Sequence, residues 1–129
     1  VQNQHCVLII DDDIDLRFLL AQVLAQSGFS VLEAGNGKEA MDLLEKSSLQ
    51  PSLLLIDLDM PVMNGVEFIQ FLLNDPVASE GWGKIPRVIY SARVDLYSEM
   101  LPADDARLNK PVHTYELIQT ILQILEPGQ

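Results

Sequence analysis

Five short apolar runs, each followed by a segment of helical periodicity, constrain the fold of this chain more than any other feature. The runs are Cys6–Ile10, Ser30–Ala34, Leu53–Ile56, residues 87–90 and a weaker one at Ala106–Asn109. After the first, Leu16, Leu19, Leu20, Val23 and Leu24 follow the i, i+3, i+4, i+7, i+8 stripe of a core-facing helix, and Gly28 supplies its stop. A second helix is predicted from Asn36 as N-cap with Glu39 three residues on, facing inward through Ala40, Leu43 and Leu44. Asn64 and Glu67 repeat the device before Val66, Ile69 and Leu73. The last helix opens near Thr114 with Glu116 in its first turn, stripes Leu117, Ile118, Ile121, Leu122 and Leu125, and ends before Pro127.

This (βα)5 alternation predicts a doubly wound α/β domain with a parallel sheet covered on both faces, because a parallel crossover needs a helix and right-handed crossovers dominate. The uninterrupted runs at residues 7–10 and 53–56 suit central strands buried on both sides. A flavodoxin-like strand order of 2-1-3-4-5 follows as the expectation, with a ligand crevice outside the carboxyl ends of strands 1 and 3. At 129 residues the chain is expected to be one domain spanning 1–129. It opens on Val1 rather than methionine, as a trimmed protein or a piece of a longer one would.

Nineteen acidic against eight basic residues give a net charge of −11, which argues against a surface for nucleic acid or anionic lipid and favours cations and basic partners. The single cysteine, Cys6, lies in an apolar run and fits a small buried hydrophobe in a reducing compartment. No apolar stretch approaches membrane-spanning length and residues 1–4 do not resemble a signal peptide, so a cytoplasmic location is expected.

The polar residues that end the strands are the ones the architecture gathers. Asp11 and Asp12 follow strand 1, Asp57 ends strand 3, Ser91 ends strand 4 and Lys110 ends strand 5. At ~4 Å and an effective dielectric of about 20, each neighbouring carboxylate pair repels by on the order of 4 kcal/mol. Three together need compensation, which a hard oxygen-seeking cation such as Mg²⁺ and the Lys110 ammonium supply. Facing such a cation, a carboxylate can attack a phosphoryl group to form an acyl phosphate, and Asp57 is the best-placed nucleophile. The Ser91 hydroxyl can donate to a phosphoryl oxygen, with the small Ala92 leaving an approach path.

Val7-Leu8-Ile9-Ile10-Asp11-Asp12-Asp13, Asp57-Leu58-Asp59-Met60-Pro61-Val62-Met63-Asn64-Gly65, Ser91-Ala92 and Lys110-Pro111 together resemble the response-regulator receiver family of the CheY-like superfamily. The resemblance covers nearly the whole chain. It implies a two-component signalling switch, no enzyme beyond its own phosphorylation and dephosphorylation, that takes a phosphoryl group on Asp57 from a sensor histidine kinase or a histidine phosphotransfer protein. It implies Mg²⁺ (or Mn²⁺) held by Asp12 directly, Asp11 largely through water, Asp57 and the backbone carbonyl of Asp59. It further implies a cis peptide before Pro111. A monomer or weak dimer is expected because a shortened helix 4 is a poor dimerisation surface. Asp59 and Arg93 occupy the positions that tune acyl-phosphate hydrolysis in the family, and the expectation is that they meet across the mouth of the site.

Taken singly, each feature has a plainer reading. Asp11 to Asp13 suit a solvated helix start, Asp57 and Asp59 a turn, and Lys110 a surface position before a turn proline. Asp13 and Asp15 are read as surface acids, and His5 and His113 as structural or exposed, having no partner spacing. Met60 and Met63 are assigned to loop packing, and Trp82, in the long loop at residues 74–86, first to packing on helix 3 and second to a partner contact. A degenerate receiver that only binds partners is countered by the intact acids, Ser91 and Lys110. A haloacid-dehalogenase-like phosphatase would carry its Asp-x-Asp pair near the start of the chain, and a flavodoxin-type nucleotide binder needs a phosphate loop that is missing here. One departure concerns output. The family's usual aromatic three residues before the lysine is replaced by Arg107, which cannot bury in the aromatic's pocket without a paired acid, and Pro102 confines helix 4 to residues 94–101.

Overall fold

The structure, a computed structural model, describes residues 5–47 and 50–128. Five strands, β1 (Cys6–Ile10), β2 (Ser30–Ala34), β3 (Leu53–Ile56), β4 (Arg87–Ser91) and β5 (Ala106–Asn109), alternate with α1 (Ile14–Gln26), α2 (Gly37–Lys46), α3 (Gly65–Asn74), α4 (Val94–Tyr97) and α5 (Thr114–Leu125). The strands form one parallel sheet in the order β2-β1-β3-β4-β5, as expected from the alternation. Its register levels the carboxyl ends, since Ile10 pairs with both Ala34 and Ile56, and Ser91 pairs with Asn109. The ladder continues one step past the strands: the Asp57 N–H donates to the Ile10 carbonyl at 2.9 Å and the Lys110 N–H to the Ser91 carbonyl at 3.1 Å. The residues that follow β1, β3 and β5, and Ser91 at the end of β4, therefore project from one edge.

Period-2 alternation divides the buried strands between two cores. Leu8, Ile10, Leu54, Ile56 and Ile89 face Phe68, Ile69 and Leu72 of α3 together with Ala40 and Leu44 of α2. Val7, Ile9, Leu55, Val88 and Tyr90 face Leu20 and Leu24 of α1 and Leu117 and Ile121 of α5. At about 1.5–3 kcal/mol for each fully buried aliphatic side chain, these two layers supply most of what favours the fold.

Helix ends follow local chemistry. Asp13 caps α1 by accepting the Leu16 N–H at 3.1 Å, and Gly28 leaves the helix with φ of 95°, a conformation that costs glycine little. Asn64 and Glu67 close a reciprocal capping box on α3. Asn36 caps α2 through the Glu39 N–H, whereas the Glu39 carboxylate reaches past it to the Gly35 N–H at 2.8 Å.

The inward faces differ from the predicted stripes at two places. On α1, Leu19 is 49% exposed and Ala21 is buried in its stead; on α3, Leu73 is exposed while Phe68 and Leu72 are buried. In both cases the sheet contacts a face turned slightly from the centre of the apolar stripe. Helix α4 is also shorter than residues 94–101: it gives way to a 3₁₀ turn at Ser98–Met100 before Pro102.

Trp82 lies in one of two 3₁₀ turns, Ala78–Glu80 and Trp82–Lys84, and packs against the core layer that contains α3. Gly83 permits this approach, since a Cβ there would collide with the Leu72 carbonyl. Beneath it, Arg87 makes a bidentate, nearly buried pair with Asp105, at 2.6 and 3.0 Å, and donates to the Gly83 carbonyl. This pins the start of β4 to the approach of β5.

Candidate functional site

Each site residue is placed by the strand it follows. Asp11 is fully buried, with Oδ1 accepting the Asp13 N–H at 2.9 Å and Oδ2 facing Lys110 Nζ at 3.2 Å. The same Oδ2 accepts the hydroxyl of Tyr90. Asp57 is 5% exposed, and its Oδ2 stands 3.5 Å from Lys110 Nζ. The ammonium thus bridges the two buried carboxylates, and it lies 4.6 Å from the centroid of the Tyr90 ring. The peptide bond that aims it, Lys110–Pro111, is cis. Gly65 lets the α3 start press against the end of β3, because a Cβ there would collide with the main chain of Asp57.

Burial raises the Asp57 carboxyl to a pKa of about 6, opposed by the Lys110 charge and by hydrogen bonds from the Leu58 and Asp59 N–H groups, and reinforced by the Asp11 charge. Burial beside Asp11 likewise pushes the Tyr90 phenol up, keeping it a proton donor. Asp12 is exposed at the rim, and ligand oxygens of Asp11, Asp12 and Asp57 lie within 4.8 Å of one another. An all-oxygen set with two buried carboxylates fits a hard divalent cation rather than a soft one.

At the mouth, Arg93 Nε stands 3.7 Å from Asp59 Oδ2, and the Tyr97 hydroxyl donates to Asp59 Oδ1 at 3.3 Å. Ser91 is buried, and its Oγ accepts the Arg93 N–H at 3.1 Å, leaving its own proton to donate. Ala92 is exposed beside it. Between α1 and the β5–α5 loop, an apolar cleft of about 370 Å³, lined in part by Leu16, Leu19, Leu20 and Val112, opens next to Lys110.

The residues singled out in the sequence, Asp11, Asp12, Asp57, Ser91 and Lys110, thus converge with Asp59 and Arg93 on one edge. Asp13 and Asp15 stay on the surface, Asp13 as a helix cap. His113 precedes α5 with no side-chain cap bond, and His5 stands 4.0 Å from a Glu126 oxygen. Tyr90 was missed. The available signal was a tyrosine inside an otherwise aliphatic, buried strand, where a hydroxyl must find a partner.

A sequence model of the response regulator receiver domain matches residues 7–122. This chain is a response-regulator receiver domain. Among curated relatives of this receiver, a 14.6 kDa protein from the sodA1 3′ region of Leptolyngbya boryana is 36% identical over 120 residues, covering 93% of this chain and 89% of that one. The transcriptional regulatory protein CpxR of Escherichia coli K12 is 33% identical over 122 residues, 92% of the receiver but 48% of CpxR, so the receiver spans about half the length of that relative. Of solved structures, the response regulator TrrA of Thermotoga maritima, in complex with Mg²⁺–BeF, superposes with a TM-score of 0.74 at 25% identity, covering 95% of the receiver and all of TrrA. None of the receiver's helices among the described residues is long and apolar enough to cross a membrane.

Proposed function

We propose that this receiver accepts a phosphoryl group on Asp57 from a phosphohistidine of a sensor kinase or phosphotransfer protein, assisted by Mg²⁺ or Mn²⁺. The observation that carries the reading is the buried Asp57 carboxylate, set within ligand distance of Asp11 and Asp12 and 3.5 Å from the Lys110 ammonium. An Asp57 oxygen attacks phosphorus as the P–N bond breaks, and a phosphoimidazole protonated on its other nitrogen leaves as neutral imidazole. Lys110 turns its charge to the phosphoryl oxygens, and the Ser91 hydroxyl donates to one of them. When bound, the cation supplies charge neutralisation at those oxygens, held by Asp12, Asp57 and the Asp59 carbonyl. Asp11, with both oxygens already accepting protein donors, takes part through water. The Mg²⁺–BeF complex of the similar TrrA supports this assignment.

Asp59 and Arg93 act as modulators at the mouth, hindering the water that would hydrolyse the acyl phosphate. With Arg107 in place of the family's aromatic and α4 reduced to a single turn, phosphorylation is read locally, near residues 59–65 and 91–93. This favours a receiver of a phosphorelay or hybrid kinase, monomeric or weakly dimeric, over a dimerising transcription factor.

The test is intact-protein mass after incubation with acetyl phosphate and Mg²⁺, kept cold and near neutral pH. The chain gains one phosphoryl group, and Asp57→Asn gains none while keeping its circular dichroism spectrum. Undiminished phosphorylation of the Asn variant rules out the assignment.

A further inference from the structure

Among the described residues, Tyr90 is the one fully buried titratable side chain that touches this cluster and that the proposed reaction does not use. Its ring belongs to the core layer formed with Leu20, Leu117 and Ile121, so the position of its hydroxyl is set by packing rather than by a flexible stem. That hydroxyl and the Lys110 ammonium both donate to Asp11 Oδ2, and the ring lies under the ammonium.

Lys110 therefore has two carboxylates to satisfy before any phosphoryl group arrives, Asp11 at 3.2 Å and Asp57 at 3.5 Å. If it were the only donor to Asp11 Oδ2, turning toward a phosphoryl group would leave a fully buried carboxylate oxygen without a partner, which is costly. From this geometry we infer that Tyr90 is a positioning residue of the phosphoryl-transfer site: its phenol keeps Asp11 oriented and satisfied, which releases Lys110 to the phosphoryl group. The inference rests on the phospho-acceptor reading of Asp57. It assigns to Tyr90 two effects, on the orientation of a metal-site carboxylate and on the freedom of Lys110, and no contact with the phosphodonor.

The experiment is a cycle of the full chain, Tyr90→Phe, Asp11→Asn and the double variant, each read for Mg²⁺ affinity by calorimetry and for acetyl phosphate kinetics. Tyr90→Phe is expected to weaken Mg²⁺ binding about tenfold and to lower the maximal phosphorylation rate about tenfold, leaving the half-saturating donor concentration unchanged. In the Asp11→Asn background the same change is expected to have no further effect. A merely structural tyrosine would lower the melting temperature and leave Mg²⁺ affinity where it was. Affinity and rate within twofold of the parent, or an equal loss without the Asp11 carboxylate, overturn the inference. Should Tyr90→Phe fold poorly, the parent itself decides: a slowly exchanging Tyr90 hydroxyl proton, detected by NMR and lost in Asp11→Asn, is expected, and its absence from the parent is contrary. Mg²⁺ affinity is measured on unphosphorylated protein, so failure of the acceptor reading shows separately, as a parent chain that gains no phosphoryl mass.

Discussion

Arg93 stands opposite Asp59 across the mouth of the acidic pocket, Nε 3.7 Å from Oδ2, with both side chains about half exposed at 55% and 48%. So open a pair adds little to stability, in the range of 0–1 kcal/mol. What it can do is crowd the path of an attacking water. Arg93→Ala is therefore expected to shorten the acyl-phosphate lifetime roughly three- to tenfold, about 1 kcal/mol in barrier, with an unchanged urea midpoint. Decay of the phosphorylated mass with time is the measurement, and an unchanged lifetime removes Arg93 from the modulating role.

Asp57 makes stability depend on pH in an unusual direction. Its folded pKa of about 6 lies above the ordinary carboxyl value of 3.8, so the folded state binds the proton more tightly than the unfolded chain. The resulting stabilisation is complete below the unfolded value and is lost as pH rises through about 6. In chelator-treated protein at pH 7.5 the ionised group is a liability of about 2–3 kcal/mol. Asp57→Asn is expected to recover about 1–2 kcal/mol of this in urea melts at pH 7.5 and much less at pH 4. Mg²⁺ should stabilise the parent more than the Asn variant. A variant no more stable than the parent at pH 7.5 contradicts the balance of charges described for the site.

Val62 adopts φ of 68° with 81% of its surface exposed, in the loop between Asp57 and α3. A β-branched residue gains nothing there to offset the steric cost of about 1–2 kcal/mol. Against the larger unfolded-state entropy of glycine, Val62→Gly is expected to stabilise the chain by about 0.5–1 kcal/mol. A shift of the urea midpoint to lower concentration would show that the loop depends on the valine.

Arg107 is half-buried and pairs with no acid among the described residues: its guanidinium donates to the carbonyls of Ser98, Leu101 and Pro102 at 3.3, 3.2 and 2.9 Å. At half burial, carbonyls at the end of a helical turn receive the cation instead of an acid. Arg107→Ala is expected to cost about 1 kcal/mol and to loosen residues 98–102 in hydrogen exchange. Amide shifts with a beryllofluoride mimic should change near residues 59–65 and 91–93. Large changes through residues 106–108 and α5, or dimerisation on phosphorylation, would show that output runs through β5 instead.

The strands and their order were legible because both depend on local chemistry. Runs such as Leu53–Ile56 can only be satisfied in a sheet covered on both faces, and alternation with helices leaves few topologies. That Asp11, Asp12, Asp57, Ser91 and Lys110 come together was legible for the same reason, since a parallel sheet delivers the end of β4 and the residues after β1, β3 and β5 to one edge whatever the helices do in detail. Packing angle decided the rest. Whether Leu19 or Ala21, Leu73 or Leu72, faces inward depends on how each helix settles on a twisted sheet, which an apolar stripe wider than the contact does not specify. The partners of long polar side chains depend on it too. Tyr90 on β4 reaches Asp11 across 79 positions, past the end of the intervening β3, and Arg87 reaches Asp105 across 18 because the neighbouring β5 brings the acceptor alongside. Residue type told of a buried hydroxyl or guanidinium in need of a partner; only the folded sheet, by setting register and depth, chose which carboxylate it would be.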